Sequence, residues 1–174
     1  MRWSLSHRFS RRALPLADRH YSRQKPGSPQ FVPPGRCLVL VTPERDALWV
    51  TSWPFAQYVR HEWPGAWVCS FFRNESASRA SGLIEQATAA TLWTWPEVPA
   101  VPSIIGPVCF ITFINQTKVR PVMVRGKAVY GFCYRKAGWR EIGFAKDGKL
   151  ALGLTPDRLP LAAPPIGAQP ALFR

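Results

Sequence analysis

Three short stretches of this sequence hold side chains able to do chemistry. His20-Tyr21 sets an imidazole beside a phenol, a potential acid–base pair. Arg73-Asn74-Glu75-Ser76 puts a guanidinium where an apolar run gives way to a helical pattern. Free backbone N–H groups at such a junction suit a phosphate or a developing oxyanion. Thr112, Asn115 and Gln116 gather three hydrogen-bonding side chains at the end of VCFITFIN, with Lys118 and Arg120 just beyond. An Asn can pair with an adenine edge, and cations can neutralise phosphates. Each stretch also has a plainer reading: a solvated histidine in a basic leader, an ordinary helix cap, a polar strand end.

Other residue types exclude chemistries. Cys37, Cys69, Cys109 and Cys133 lie 32, 40 and 24 residues apart, with no C-x-x-C and no histidine at ligand spacing. That is neither a zinc nor a disulfide pattern, and three of the four sit in apolar runs as small buried hydrophobes. His7, His20 and His61 form no ligand-spaced group, so no metal site is expected. No apolar window approaches the length of a membrane span, and the N-terminus lacks a signal-peptide core. The expectation is a soluble, cytoplasmic protein without a membrane partner.

The elements that must position these residues follow from the apolar runs. CLVLVT and ALWVTSW, separated by the turn-forming PERD, read as two adjacent strands over residues 37 to 53. AWVCSFF is a third strand. Ser76 or Ser78 can cap the following helix, whose apolar positions Leu83, Ile84, Ala87 and Ala90 recur at helical spacing. VCFITFIN is a fourth strand and QTKVRPVMVRGK a basic link. AVYGFCYRKAG reads as a short helix closed by Gly138, and WREIGF with KLALGL as a hairpin across AKDG. The fold class expected is α/β (α+β), a single domain with a mixed sheet and flanking helices. Residues 1–17 read as a basic flexible leader, 18–155 as the folded domain and 156–174 as a disordered Pro/Ala-rich tail. In open sheets, ligands settle at the carboxyl ends of strands, above all where neighbours part. The ends of AWVCSFF and CFITFIN are the two candidate places.

Charge points to the partner. The chain has 174 residues, with 23 Lys+Arg against 10 Asp+Glu, a net +13 that suits a polyanion. Residues 1–36 hold eight basic and one acidic residue (8 − 1 = +7), residues 42–98 four and six (−2), and residues 115–149 nine and two (+7). The second basic block is interleaved with Val119, Val124, Val129, Tyr130 and Phe132, as folded surface would be.

Tyr130 to Gly143, YGFCYRKAGWREIG, resembles the final helix and strand of GNAT-type acyltransferases. Three blocks in order, His20-Tyr21, Arg73-Asn74-Glu75-Ser76 and Thr112-Phe113-Ile114-Asn115 before that helix, resemble the Mom-type DNA-modification proteins of bacteriophages, which have a GNAT-like fold and alter adenine. The resemblance implies a GNAT-like, mostly antiparallel central sheet. It also implies a transferase that adds an acyl-derived group to the adenine amine in phage-infected or prophage-bearing bacteria, protecting DNA from restriction. Its roles fall on His20 as base, Tyr21 as proton donor and Asn115 as the residue that orients the base. Arg73, Asn74, Ser76 and Ser78 would bind the donor; Lys118, Arg120, Arg125 and Lys127 would grip the backbone of DNA or RNA, and Tyr130 would stack on the extruded base. Two departures stand out: Asn115 occupies the place of a carboxylate, and the GNAT pyrophosphate loop is missing at residues 73–78. The donor is therefore open between acetyl-CoA and another acyl or aminoacyl carrier. A catalytically silent basic nucleic-acid-binding protein and an ordinary N-acyltransferase are the alternatives.

Overall fold

The computed structural model describes residues 1–32, 34–55, 59 and 61–168. Its elements are β1 (Ser4–Ser6), α1 (Leu14–Asp18), β2 (Gly35–Val41), β3 (Ala47–Pro54), β4 (Trp67–Asn74), α2 (Ala80–Thr94), β5 (Phe110–Ile114), β6 (Val122–Val124), β7 (Lys127–Val129), α3 (Phe132–Lys136), β8 (Arg140–Phe144) and β9 (Leu150–Leu154). Seven strands form one sheet in the order β1-β2-β3-β4-β5-β9-β8, and β6-β7 stands apart as a two-stranded ribbon. Every pairing in the large sheet is antiparallel except β4 with β5. The fold is thus α+β with a mostly antiparallel sheet.

Local chemistry explains the turns. Between β2 and β3, Thr42 Oγ1 accepts from the amides of Asp46 (3.1 Å) and Ala47 (3.0 Å) and donates to Asp46 Oδ1 (2.6 Å), while Arg45 takes a left-handed φ of 61°. The PERD segment is therefore the expected hairpin turn. β8 and β9 close across Ala145–Lys149, with Gly148 at φ +79°. The expected basic link instead folds into β6-β7, because Arg125 (φ 47°) and Gly126 (φ 76°) make the two-residue turn that a twisted hairpin favours.

The largest hydrophobic cluster joins Trp49, Trp67, Phe110 and Leu152 of the sheet, with Trp3 and Trp139 just before β1 and β8, to Leu83, Ile84 and Ala87 of α2. A buried polar chain crosses it: Trp49 Nε1 donates to Thr51 Oγ1 (2.8 Å), which pairs with Thr91 Oγ1 (2.8 Å) on α2. Because every member is satisfied, the chain fixes the register of helix on sheet.

Both ends of the chain are more ordered than composition implied. The leader contributes β1, which pairs with β2, and α1, whose Leu16 and Ala17 are buried with Val39, Val50 and Phe71. Trp3 is fully buried and donates its indole N–H to Leu83 O at 2.9 Å. The leader's basic residues hide how well its few apolar side chains are spaced for burial. After β9, Pro156–Arg158 form a 3-10 turn, Ala163 N donates to Ala89 O (3.1 Å), and Ile166 N to Trp3 O (2.7 Å). Residues 156–168 thus lie against α2 and the leader; residues 169–174 of the expected tail fall outside the described residues.

Candidate functional site

The parallel pair is where the sheet opens. β4 and β5 pair at Trp67↔Phe110, Val68↔Ile111 and Cys69↔Thr112, and Thr112 Oγ1 donates to Cys69 O at 3.0 Å. Beyond that point no pairing joins them, so Ser70–Asn74 and Phe113–Ile114 run on as separate arms. A cleft of about 920 Å³ occupies this fork, bounded by residues 20–32, both arms, the β6-β7 ribbon and α3. That size suits a nucleoside or a small acyl donor.

The floor is aromatic and apolar. Phe72 meets Trp49 (centroids 5.9 Å) and Tyr134 (6.0 Å) edge to face, and Tyr134 meets Trp139 at 5.1 Å. Tyr134 OH lies 3.2 Å from Cys69 Sγ. Burial drives the Cys69 thiol up to about 12 and the Tyr134 phenol well above its usual range, so both stay protonated. Cys69 is a packing residue rather than a nucleophile. Alkylation of the native protein followed by peptide mapping should leave Cys69 unmodified until denaturant is added; rapid labelling of native Cys69 would refute this.

Residues 18–32, which follow the leader, cross the fork as a strap. The His20 ring stacks on Tyr21 (4.5 Å) and packs against Phe71 of β4 (4.9 Å). Tyr21 OH donates to Phe113 O of β5 at 3.1 Å, and the Asn115 backbone amide approaches the Tyr21 phenol oxygen. His20 and Tyr21 therefore join the two arms. Arg23 holds the strap: its nearly buried guanidinium pairs with Asp18 (2.8 Å) and donates to Gln30 O (3.1 Å) and Ser28 O (2.5 Å). Asp18 also accepts from Gly27 N at 3.0 Å. Asp18, the one acid within residues 1–36, is thus the strap's internal clasp.

His20 is neutral at physiological pH. Burial, aided by the Arg73 cation, lowers it from 6.5 to about 4, against a weaker opposing hydrogen bond to the Phe72 backbone. Its Nδ1 lies 2.7 Å from Ser22 Oγ and accepts from Ser22 N at 3.3 Å. An unprotonated Nδ1 therefore faces a hydroxyl that also lines the cleft.

The other expected site residues are placed differently. Arg120 lines the cleft; Asn115, Lys118, Arg125, Lys127, Tyr130 and residues 73–78 do not. Asn115 Oδ1 accepts from Thr117 N (3.0 Å) and Oγ1 (2.8 Å), so its side chain shapes the turn after β5. Tyr130 is half-buried at the edge of the core, and its carbonyl accepts from Arg135 Nε at 3.1 Å. Arg73 donates to Glu75 and to Arg19 O, and Arg19 makes two bonds to the same carboxylate (2.8 and 2.7 Å). The two guanidinium groups hold Glu75 at about 2. Asn74 Oδ1 accepts from Ser76 N (3.0 Å) and Oγ (2.6 Å), Asn74 Nδ2 donates to Ser78 O (2.8 Å), and Ser78 N donates to Ser76 Oγ (3.1 Å). Residues 74–78 thus satisfy one another, and neither serine caps α2: the N-cap is Arg79 and the helix opens at Ala80.

Sequence reasoning missed Ser22, Lys25, Gln30, Phe72, Lys149 and Tyr134 as cleft residues. Only the packing of residues 18–32 across the fork reveals most of them. The lining includes Arg23, Lys25, Arg120 and Lys149 and no Asp or Glu. Arg23 and Lys149 are ion-paired, to Asp18 and Asp147, whereas Lys25 and Arg120 have no ion pair among the described residues. The cleft therefore couples an apolar floor to a cationic rim. The chain matches no protein-family model, no curated protein and no solved structure. Among the described residues no helix is long and apolar enough to cross a membrane, and no group of three His, Cys, Asp or Glu could hold a metal ion.

Proposed function

We propose that the chain is a nucleic-acid-modifying transferase of GNAT-like fold. It would transfer an acyl-derived group to a nucleobase in the fork between β4 and β5, with the adenine exocyclic amine as acceptor and DNA as substrate. The observation that carries this reading is the pairing of an apolar, aromatic floor with a cationic rim on which Lys25 and Arg120 have no ion pair among the described residues, in a cleft that no carboxylate lines. A flat heterocycle attached to a phosphate backbone has that chemistry: the base is driven onto the floor and the phosphates onto the rim.

The proton chemistry is consistent with the acceptor. The adenine amine is a weak nucleophile because its lone pair is delocalised into the ring, and once it attacks a carbonyl its N–H becomes strongly acidic. A weakly basic imidazole is then sufficient. Ser22 Oγ would take that proton and pass its own to His20 Nδ1, 2.7 Å away. As the bond between the acyl carbon and its carrier breaks, Tyr21, whose phenol burial raises and so keeps protonated, would give its proton to the departing carrier and regain one from solvent. The mutual satisfaction of residues 74–78 favours a donor other than a CoA thioester cradled at that turn. The same facts, with the Asn115 side chain turned into its own loop, give the alternative its support: a silent nucleic-acid-binding protein that retains the fold.

Mass spectrometry of nucleosides from DNA of cells expressing the protein separates the two. A new adenosine adduct is expected with wild type, lost at least ~10²-fold in His20→Ala and kept within a fewfold in Asn115→Ala. Unmodified DNA from cells in which the protein still binds DNA in a salt-dependent way would establish the silent module instead.

A further inference from the structure

The β6-β7 ribbon presents an arrangement that folding does not require. Its two strands pair only with each other, and its faces alternate. The cross-strand pair Val122↔Val129 lines the cleft, while Met123↔Ala128 points to the opposite face. Met123 is 63% exposed and Val122 44%, although both lie in the most basic part of the chain. From Asn115 to Arg140 there are seven Lys/Arg and no Asp or Glu. Lys118, Arg120, Arg125 and Lys127, all exposed, flank those two apolar residues in sequence. The Arg125-Gly126 turn stiffens the tip, since both residues hold the positive φ of a tight hairpin.

Resting on the transferase reading above, we infer that this ribbon is a duplex-opening wedge and that the substrate is double-stranded DNA. An amine stacked inside a duplex cannot reach the floor of the fork, so the base must leave the stack. Proteins that kink or open duplexes do so by driving an apolar side chain such as Phe, Leu, Ile or Met between base steps, held there by cations on the phosphates. Met123 is such a side chain: long, apolar, exposed, carried on a tight hairpin and flanked in sequence by exposed cations. Its face is turned away from the cleft, whereas Val122 and Val129 on the other face border it. The ribbon therefore stands between the stack and the pocket, with Met123 filling the vacated position and the valine pair beside the extruded base. The cations alone would suit single strands equally well; the exposed methionine is what distinguishes a duplex.

The test needs no donor. A pool of duplexes carrying one 2-aminopurine between randomised neighbours, and the same strands unpaired, are mixed with purified full-length protein. Wild type should raise 2-aminopurine fluorescence severalfold on duplex. Met123→Ala should bind duplex within about twofold of wild type, with the same salt slope, yet lose most of the rise; Met123→Leu should restore it. A Met123→Ala protein that unstacks duplex as wild type does, or a wild type that never unstacks it, overturns the wedge. Adduct formation on native and heat-denatured genomic DNA in an expressing-cell extract then separates the two readings. With the wedge correct, Met123→Ala loses adduct about tenfold on native DNA and keeps it on denatured DNA. Unstacking by wild type without any adduct would leave the wedge standing and remove the transferase.

Discussion

Between pH 6.5 and 4, one imidazole should remove up to about 3 kcal/mol of folding stability. His20 sits at about 4 in the fold and near 6.5 when unfolded, a difference worth roughly 1.4 kcal/mol per pH unit. The sign follows from which state binds the proton first. As pH falls below 6.5 the unfolded chain protonates and the folded one does not, so each step favours unfolding. Below about 4 the folded state protonates too and the loss levels off. Glu75, held near 2 by two arginines against an ordinary 4.5, acts in a lower window, from about 4.5 downward. Urea titrations at half-unit pH steps should therefore show a His20→Gln variant that is less stable at pH 7 through lost stacking but has a clearly shallower slope between 6.5 and 4.5, the remaining slope coming from His61, which burial also lowers. An equal slope in both proteins would mean that His20 titrates normally and is not packed in the fork. The same shift predicts that adduct formation has no inflection near 6.5 and falls only as pH approaches 4.

Much of this site depends on residues whose local sequence disguises them. Strands β2 to β5, β8 and β9, helices α2 and α3 and two hairpin turns follow from runs such as CLVLVT and CFITFIN, because apolar alternation and turn chemistry are local signals. The ends of AWVCSFF and CFITFIN were legible as two candidate places, but that the two strands pair in parallel and part at one fork shows only in the fold. The leader was not legible. Eight basic residues and several prolines in its first 36 positions give it the composition of a solvated segment. What orders it are contacts across 54 to 92 residues of sequence: Trp3 with Leu83, Arg19 with Glu75, Arg73 with Arg19, Tyr21 with Phe113. The polar turns misled in the opposite direction. Asn74, Ser76 and Asn115 have the right types to hold a ligand, but a short polar side chain beside a chain reversal bonds most readily to its own backbone. Pattern shows that such residues sit at a strand end; only the folded structure shows that their acceptors are already taken.

Gly131→Val should be the most damaging single substitution around the cleft, costing roughly 2–5 kcal/mol, with Gly148→Ala as its mild counterpart. Gly131 is the N-cap of α3 and holds φ 64°, ψ 31°, a left-handed conformation that costs an L-residue roughly 1–2 kcal/mol and a β-branched one more. A Cβ there would lie 2.7 Å from Leu152 Cδ1 and 3.4 Å from Ile114 Cγ1. Leu152 is fully buried and Ile114 nearly so, so neither can yield without disturbing β9 or β5, and overpacking of that kind adds roughly 1–3 kcal/mol. Gly148 has a similar φ of +79° but nothing within 4 Å of a Cβ, leaving only the conformational cost of about 1 kcal/mol. Chemical denaturation of the two variants beside wild type measures the difference, and equal losses would show that Gly131 is not closely packed. The consequence extends to the site. Because α3 starts at Gly131 and carries Tyr134 to Cys69 across the fork, the repulsion that destabilises the fold also lifts the aromatic floor away from β4. Gly131→Val should therefore lose adduct formation at temperatures where the variant is still folded, whereas Gly148→Ala keeps it.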